Sequence, residues 1–203
     1  MDRRQLESAG ESFPHTHVQG LYAVPFGVLL WFFVALGNVA EPPGGRWIVR
    51  AGIVLAALLL WLVTFYYRRS FGRVTPTRDR QIRYVVAAVV AFAVFAGVDQ
   101  ILRAFLGRPP EPAVSTTLSA WAAGMIVFYL VAGSLRAHHL IIWSAMFVAG
   151  LLPIWGHGID RDALAYFPIG TAMIVTGLFD HRDLLRTFRA YHDLHLETTD
   201  VRG

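Results

Sequence analysis

The side chains able to ligate or move protons fall into three groups along the chain. Asp99 and Gln100 interrupt an otherwise apolar run, and Arg103 follows on the same helical face, so an Asp99–Arg103 pair can close locally. The stretch Gly156-His157-Gly158-Ile159-Asp160-Arg161-Asp162 collects an imidazole and two carboxylates. Such groups can hold a divalent ion, but their spacing matches no metal motif. Asp160 or Asp162 also suits the free N–H groups of a helix N-terminus. The third group is split, with His138-His139 following Arg136 and Asp180-His181-Arg182-Asp183 lying far downstream. Haem ligation across two helices needs histidines that face each other inside a bundle. All 8 histidines fall at the ends of apolar runs, in gaps or in tails, so no haem is expected.

No nucleophile elbow, zinc-protease helix or lysine phosphate loop occurs, so no catalytic residue, metal or cofactor is assigned. The groups available for a ligand or ion pocket near one face are Asn38, Glu41, Asp99, Arg103, His157 and Asp160.

The elements that must position these residues follow from composition. The 203 residues are 55% hydrophobic and 16% charged, with a mean hydropathy of +0.48. A soluble domain carries about a quarter charged residues. Disorder is excluded by the apolar content, and a disulfide scaffold by the complete lack of cysteine. All 18 basic residues are arginine, distributed in short gaps between apolar runs. That placement argues for lipid headgroups and membrane orientation, and against nucleic acid.

A membrane-crossing helix needs about 20 apolar residues. Six stretches approach this: Leu21–Ala40, Trp47–Tyr67, Tyr84–Phe105, Leu118–Leu135, Leu140–Trp155 and Ala163–Phe179. The expected fold is therefore all-α, a six-helix transmembrane bundle with a C-terminal amphipathic interfacial helix. Residues 1–19 form a cytoplasmic tail, 20–180 the membrane domain, and 181–203 the amphipathic helix and tail. With six crossings, 13 arginines fall on the side of both termini and 5 on the other, which predicts cytoplasmic termini. Tyr66, Tyr67, Phe71 and Tyr84 mark the inner boundary, and Trp47, Trp155, Tyr166 and Phe167 the outer one.

Three prolines, Pro25, Pro153 and Pro168, are expected to kink the spans that contain them or, for Pro25 and Pro168, to sit in the first turns. Close packing should run through the small residues Ala87/Ala91, Ala93/Gly97, Ala120/Gly124 and Ala145/Ala149. In the tail, Leu184, Leu185, Phe188, Tyr191 and Leu194 recur at helical steps with Arg182, Arg186 and Arg189 between them. This is the pattern of a helix lying on the inner leaflet or docking on a partner. Arg68, Arg69 and Arg73 offer a second set of headgroup or partner contacts.

Tyr66-Tyr67-Arg68-Arg69-Ser70-Phe71-Gly72-Arg73-Val74 and Gly177-Leu178-Phe179-Asp180-His181 resemble segments of small, functionally uncharacterised multi-pass bacterial inner-membrane proteins. The resemblance implies a bacterial inner-membrane address and assigns no activity. The expected function is a non-enzymatic structural or regulatory subunit, accessory to a transport complex. Its partners would be the bilayer, a membrane or cytoplasmic protein, or a second copy. Two alternatives stand beside it: a small transporter or channel with a polar pocket near the outer face, and a membrane enzyme with an outer-face site.

Overall fold

The computed structural model describes residues 20–38, 44–71, 78–106, 114–155 and 160–200; within them, the side chains of 33, 35–38, 44–49, 71, 160–163 and 188–200 lie outside the description. The described residues form six α-helices and one 3-10 turn, Gly20–Tyr22, with no strand. The helices are α1 (Ala23–Asn38), α2 (Gly44–Phe71), α3 (Arg78–Leu106), α4 (Thr116–Ala132), α5 (Ala137–Leu151) and α6 (Asp160–Asp200). One helix stands at each apolar stretch read from the sequence.

Local chemistry sets several ends. Ser115 accepts the Leu118 N–H at 3.3 Å and so caps α4. Gly133, at φ 71°, closes the same helix, and the Ser134 N–H reaches back to the Tyr129 carbonyl at 2.9 Å. This is a left-handed cap that glycine adopts without a Cβ clash. At the start of α5, the Arg136 N–H donates to Nδ1 of His139 at 3.2 Å.

The three prolines occupy different positions, and Pro25 takes the first-turn place expected for it. Pro25 is the third residue of α1, where the missing N–H has no partner to lose. Pro153 lies beyond the end of α5 and terminates it, because the residue before proline is driven out of helical geometry; Leu152 is extended at φ −72°, ψ 140°. Among the described residues only Pro168 lies in a helix interior, and α6 continues through it.

The expected separate interfacial helix is also corrected. Residues 160–200 form one helix of 41 residues, since neither glycine nor proline follows Gly177 in that range.

Successive helices run in opposite directions. The Leu21 N–H meets the Tyr67 hydroxyl at 3.3 Å, setting the start of α1 beside the end of α2. Asp99, in the last turns of α3, meets Thr116 at the start of α4. Ser119 near the start of α4 donates to the Phe147 carbonyl of α5 at 2.9 Å. The backbone of α2 approaches α1 and its leading turn, that of α3 approaches α4, and α1, α4 and α5 all pack on α6.

The closest approach is between α1 and α6. A methyl added at Gly27 would sit 2.5 Å from the Gly170 carbonyl, and one at Gly170 equally close to Gly27. A similar contact recurs further along, where Gly20 faces Gly177. Gly27 of α1 and Gly20 of the turn before it thus meet two glycines of α6 in direct backbone contact. Of the small pairs expected at interfaces, Ala91 and Gly124 do meet between α3 and α4, with Ala87 and Ala120 fully buried. Gly97, however, faces open space, and Ala145 is exposed.

The buried centre, with Leu118, Trp143 and Ile169, lies among α4, α5 and α6. By contrast α2 and α3 present large apolar side chains outward, including Val54, Trp61, Phe92 and Phe105. Arg50–Ser70 and Arg78–Leu106 are long and apolar enough to cross a membrane, and each is only 11% buried over its most apolar window.

Candidate functional site

The densest convergence of ligand-type side chains lies where α4, α5 and α6 meet, at the end of the bundle shared by Gly20 and Tyr67. His138 and His139 stand at the first turn of α5, and Asp180 lies on α6 beyond Pro168. His139 is fully buried and Asp180 nearly so, at 5% exposure, while the His138 side chain keeps 19%. Nε2 of His138 lies 3.0 Å from Oδ1 of Asp180. Nε2 of His139 lies 3.0 Å from Oδ1 and 3.1 Å from Oδ2.

The hydrogen-bond pattern places the protons. Because Nδ1 of His139 accepts the Arg136 N–H, its Nε2 carries the ring proton and donates it to Asp180. Donation to a carboxylate is a charge-assisted bond, with a net worth of about 1.5–3 kcal/mol. The bond from Arg136 to Nδ1 is a neutral one, worth about 1 kcal/mol. Tyr129 stacks on the His139 ring at 3.7 Å between centroids and 13° between planes, which fixes its orientation. The next turn of α6 repeats the link between elements, with Arg136 Nη1 bonded to Asp183 Oδ2 at 2.6 Å.

Beside this cluster, His181 bridges two tyrosines of α2. Its Nδ1 lies 3.3 Å from the Tyr67 hydroxyl and its Nε2 3.4 Å from that of Tyr66. Partial burial pulls the His181 pKa below the ordinary histidine value of 6.5. Leu178, His181, Arg182, Leu185 and Arg186 line an open hollow of about 430 Å³ on the neighbouring face of α6. Arg182 and Arg186 are exposed there, as are Arg68 and Arg69 at the end of α2.

Of the residues that sequence reasoning assembles into a pocket, Asp99 and Arg103 have described side chains. Asp99 and Arg103 form their expected pair at 2.8 Å, and Thr116 donates to the other Asp99 oxygen at 2.9 Å. Arg103 also reaches the Thr117 hydroxyl at 3.4 Å. This group sits at the opposite end of the bundle from Asp180. Glu41, Arg73 and His157 lie outside the described residues, as do the side chains of Asn38, Asp160 and Arg189.

The His138–His139–Asp180 convergence is missing from the sequence-derived pocket, although both halves stand out in the sequence. The available signal was that the fourth gap and the end of the sixth apolar run fall on one side of an up-and-down bundle. Donor atoms of these three residues lie within 4.8 Å of one another, the only such His/Asp/Glu group among the described residues. No known protein family, curated protein or solved structure matches the chain.

Proposed function

We propose that this chain is a polytopic integral protein of a bacterial inner membrane, crossing it six times with both termini in the cytoplasm. In this reading it serves as a non-enzymatic structural or regulatory subunit, accessory to a transport complex. The observation that carries the membrane reading is the outward apolar surface of α2 and α3. A helix apolar on all sides is either a buried core helix or a membrane span. At 11% burial these two are not core helices, and water is a poor solvent for Phe92 at 70% exposure and Phe105 at 79%.

The alternating direction of the helices supports six crossings. With 16, 17 and 15 residues, α1, α4 and α5 are roughly 22–26 Å long. Such lengths suit a hydrocarbon layer somewhat thinner than the usual ~30 Å. The arginine bias supports cytoplasmic termini, which sets the His138–His139–Asp180 cluster near the inner face.

A subunit role draws support from the interior. Leu118, Trp143 and Ile169 fill the space among α4, α5 and α6, where a transport path would otherwise run. Asp99, the one acidic residue deep in an apolar run, has its oxygens engaged by Arg103 and Thr116. The apolar flanks of α2 and α3 leave surface for a membrane partner or a second copy.

The chain has no cysteine, so single-cysteine variants can be labelled without a background. A membrane-impermeant maleimide should reach Ser70→Cys only from the cytoplasmic side and Leu152→Cys only from outside, with the protein retained in carbonate-washed membranes. Labelling of both from one side, or recovery of the chain in the soluble fraction, refutes the six-span topology.

A further inference from the structure

We propose that His138, His139 and Asp180 form a binding site for a first-row divalent transition metal ion, with zinc as the reference ion, that staples the start of α5 to α6. This site stands apart from the membrane reading and does not depend on the number of crossings.

Geometry is the first argument. The three residues come from helices 41–42 positions apart in sequence, yet present both Nε2 atoms to the same carboxylate at 3.0–3.1 Å. In a tetrahedral zinc site with bonds of about 2.0–2.1 Å, neighbouring donors stand roughly 3.3 Å apart. Each imidazole–carboxylate separation need open by only a few tenths of an ångström to admit an ion, and all three donor atoms already lie within 4.8 Å of one another. His139 and Asp180 supply the dry wall, and the partly exposed His138 supplies the entry path and the direction from which water completes the coordination.

Donor chemistry is the second. Two imidazoles and one carboxylate favour zinc, cobalt, nickel or iron(II) over magnesium and calcium, which prefer oxygen donors throughout. The outer contacts are those that hold ligands in place: Tyr129 stacked on His139, and the Arg136–Asp183 bridge one turn beyond Asp180.

The existing hydrogen bonds oppose binding, and their size decides the outcome. An ion on Nε2 of His139 displaces the proton now shared with Asp180, and the remaining ring proton must reside on Nδ1. The bond from the Arg136 N–H to Nδ1 is then lost. The Nδ1–H and the Arg136 N–H then meet donor to donor inside the protein, which weakens binding by roughly 10²- to 10³-fold. Structural zinc sites bind with constants on the order of 10⁷ M⁻¹ and above, so the loss reduces affinity without abolishing it. Protons leave as the ion enters, so uptake strengthens as pH rises.

The test uses the full chain in detergent or nanodiscs, stripped with chelator, reloaded with zinc alone, dialysed and assayed for bound metal. The wild type should retain about one ion per chain, and Asp180→Asn and His138→Gln should bind at least tenfold more weakly. The glutamine amide of His138→Gln keeps an N–H donor toward Asp180, so this variant tests ligation with the fold maintained. Replacing His15 and His17 in the N-terminal tail by alanine should leave retention unchanged. Cobalt(II) should give the wild type visible absorption bands of a low-symmetry site that His138→Gln lacks. Retention in His138→Gln equal to the wild type, or a wild type that holds no zinc, overturns the proposal. Failure of the maleimide topology test would leave this result standing, so the two readings fall separately.

Discussion

The two ends of the bundle each hold a sheltered carboxylate, and they satisfy it in opposite ways. Asp99 is paired with a permanent cation from its own helix, four residues on, and its second oxygen takes a hydroxyl from α4. Asp180 is held by two imidazoles from another helix, neither of which carries a fixed charge. The first arrangement is local and closed, because arginine neither loses its proton nor ligates a metal. The second depends on tertiary contact and can exchange its protons for a metal ion. Chemistry that responds to conditions therefore belongs at the Asp180 end.

The largest effect should come from disturbing what sets α6 against α1. Leucine at Gly170 must displace the Gly27 carbonyl, 2.5 Å from the added Cβ, and the Trp31 ring at 2.9 Å. A loss of about 3 kcal/mol or more is expected for this overpacking. Thermal unfolding in detergent should show the loss, and cysteine crosslinking between α5 and α6 should report displacement of the Asp180 end. Crosslinks between α3 and α4 should persist, as neither helix contributes to that crossing.

A direct contrast of the carboxylates comes next. Asp180→Ala strands the buried His139 N–H and removes the acceptor from His138, a cost of about 3 kcal/mol. Asp99→Ala leaves Arg103, whose side chain is 48% exposed, within reach of water and removes the acceptor of the buried Thr116 hydroxyl, at a cost of about 1–2 kcal/mol. Equal losses in melting temperature would show that the two sites are not energetically distinct.

The smallest effect is one of pH. His181 has its pKa lowered in the folded chain, so above the ordinary value of 6.5 both folded and unfolded forms are neutral there and it contributes no pH dependence. As pH falls below 6.5 the unfolded chain takes up a proton that the folded chain resists, and stability declines. Comparing urea midpoints for wild type and His181→Gln from pH 7.5 to 5.5 should show a shallower decline in the variant. An unchanged slope would assign the acid sensitivity elsewhere.

Much of this is legible without coordinates where the cause is local. Asp99 and Arg103, separated by one helical turn, meet as their spacing requires. Pro153 reads as a kink only if α5 runs past Leu151; the restriction that proline places on Leu152 is itself visible in the sequence and ends the helix there. The amphipathic tail is helical as its periodicity predicts, but periodicity cannot tell whether such a segment continues the preceding helix or begins a new one.

Composition and apolar run length determined that this chain is helical throughout its described elements, with two helices long and apolar enough to cross a membrane, since both follow from solvent transfer and backbone hydrogen bonding within each segment. Tertiary structure alone decided which glycines touch and which acid meets which histidine. Gly27 and Gly170 stand 143 positions apart, and Asp180 lies 41 residues from His139, distances over which no sequence period carries information. Only the order in which α1, α4 and α5 pack around α6 brings these groups within bonding range.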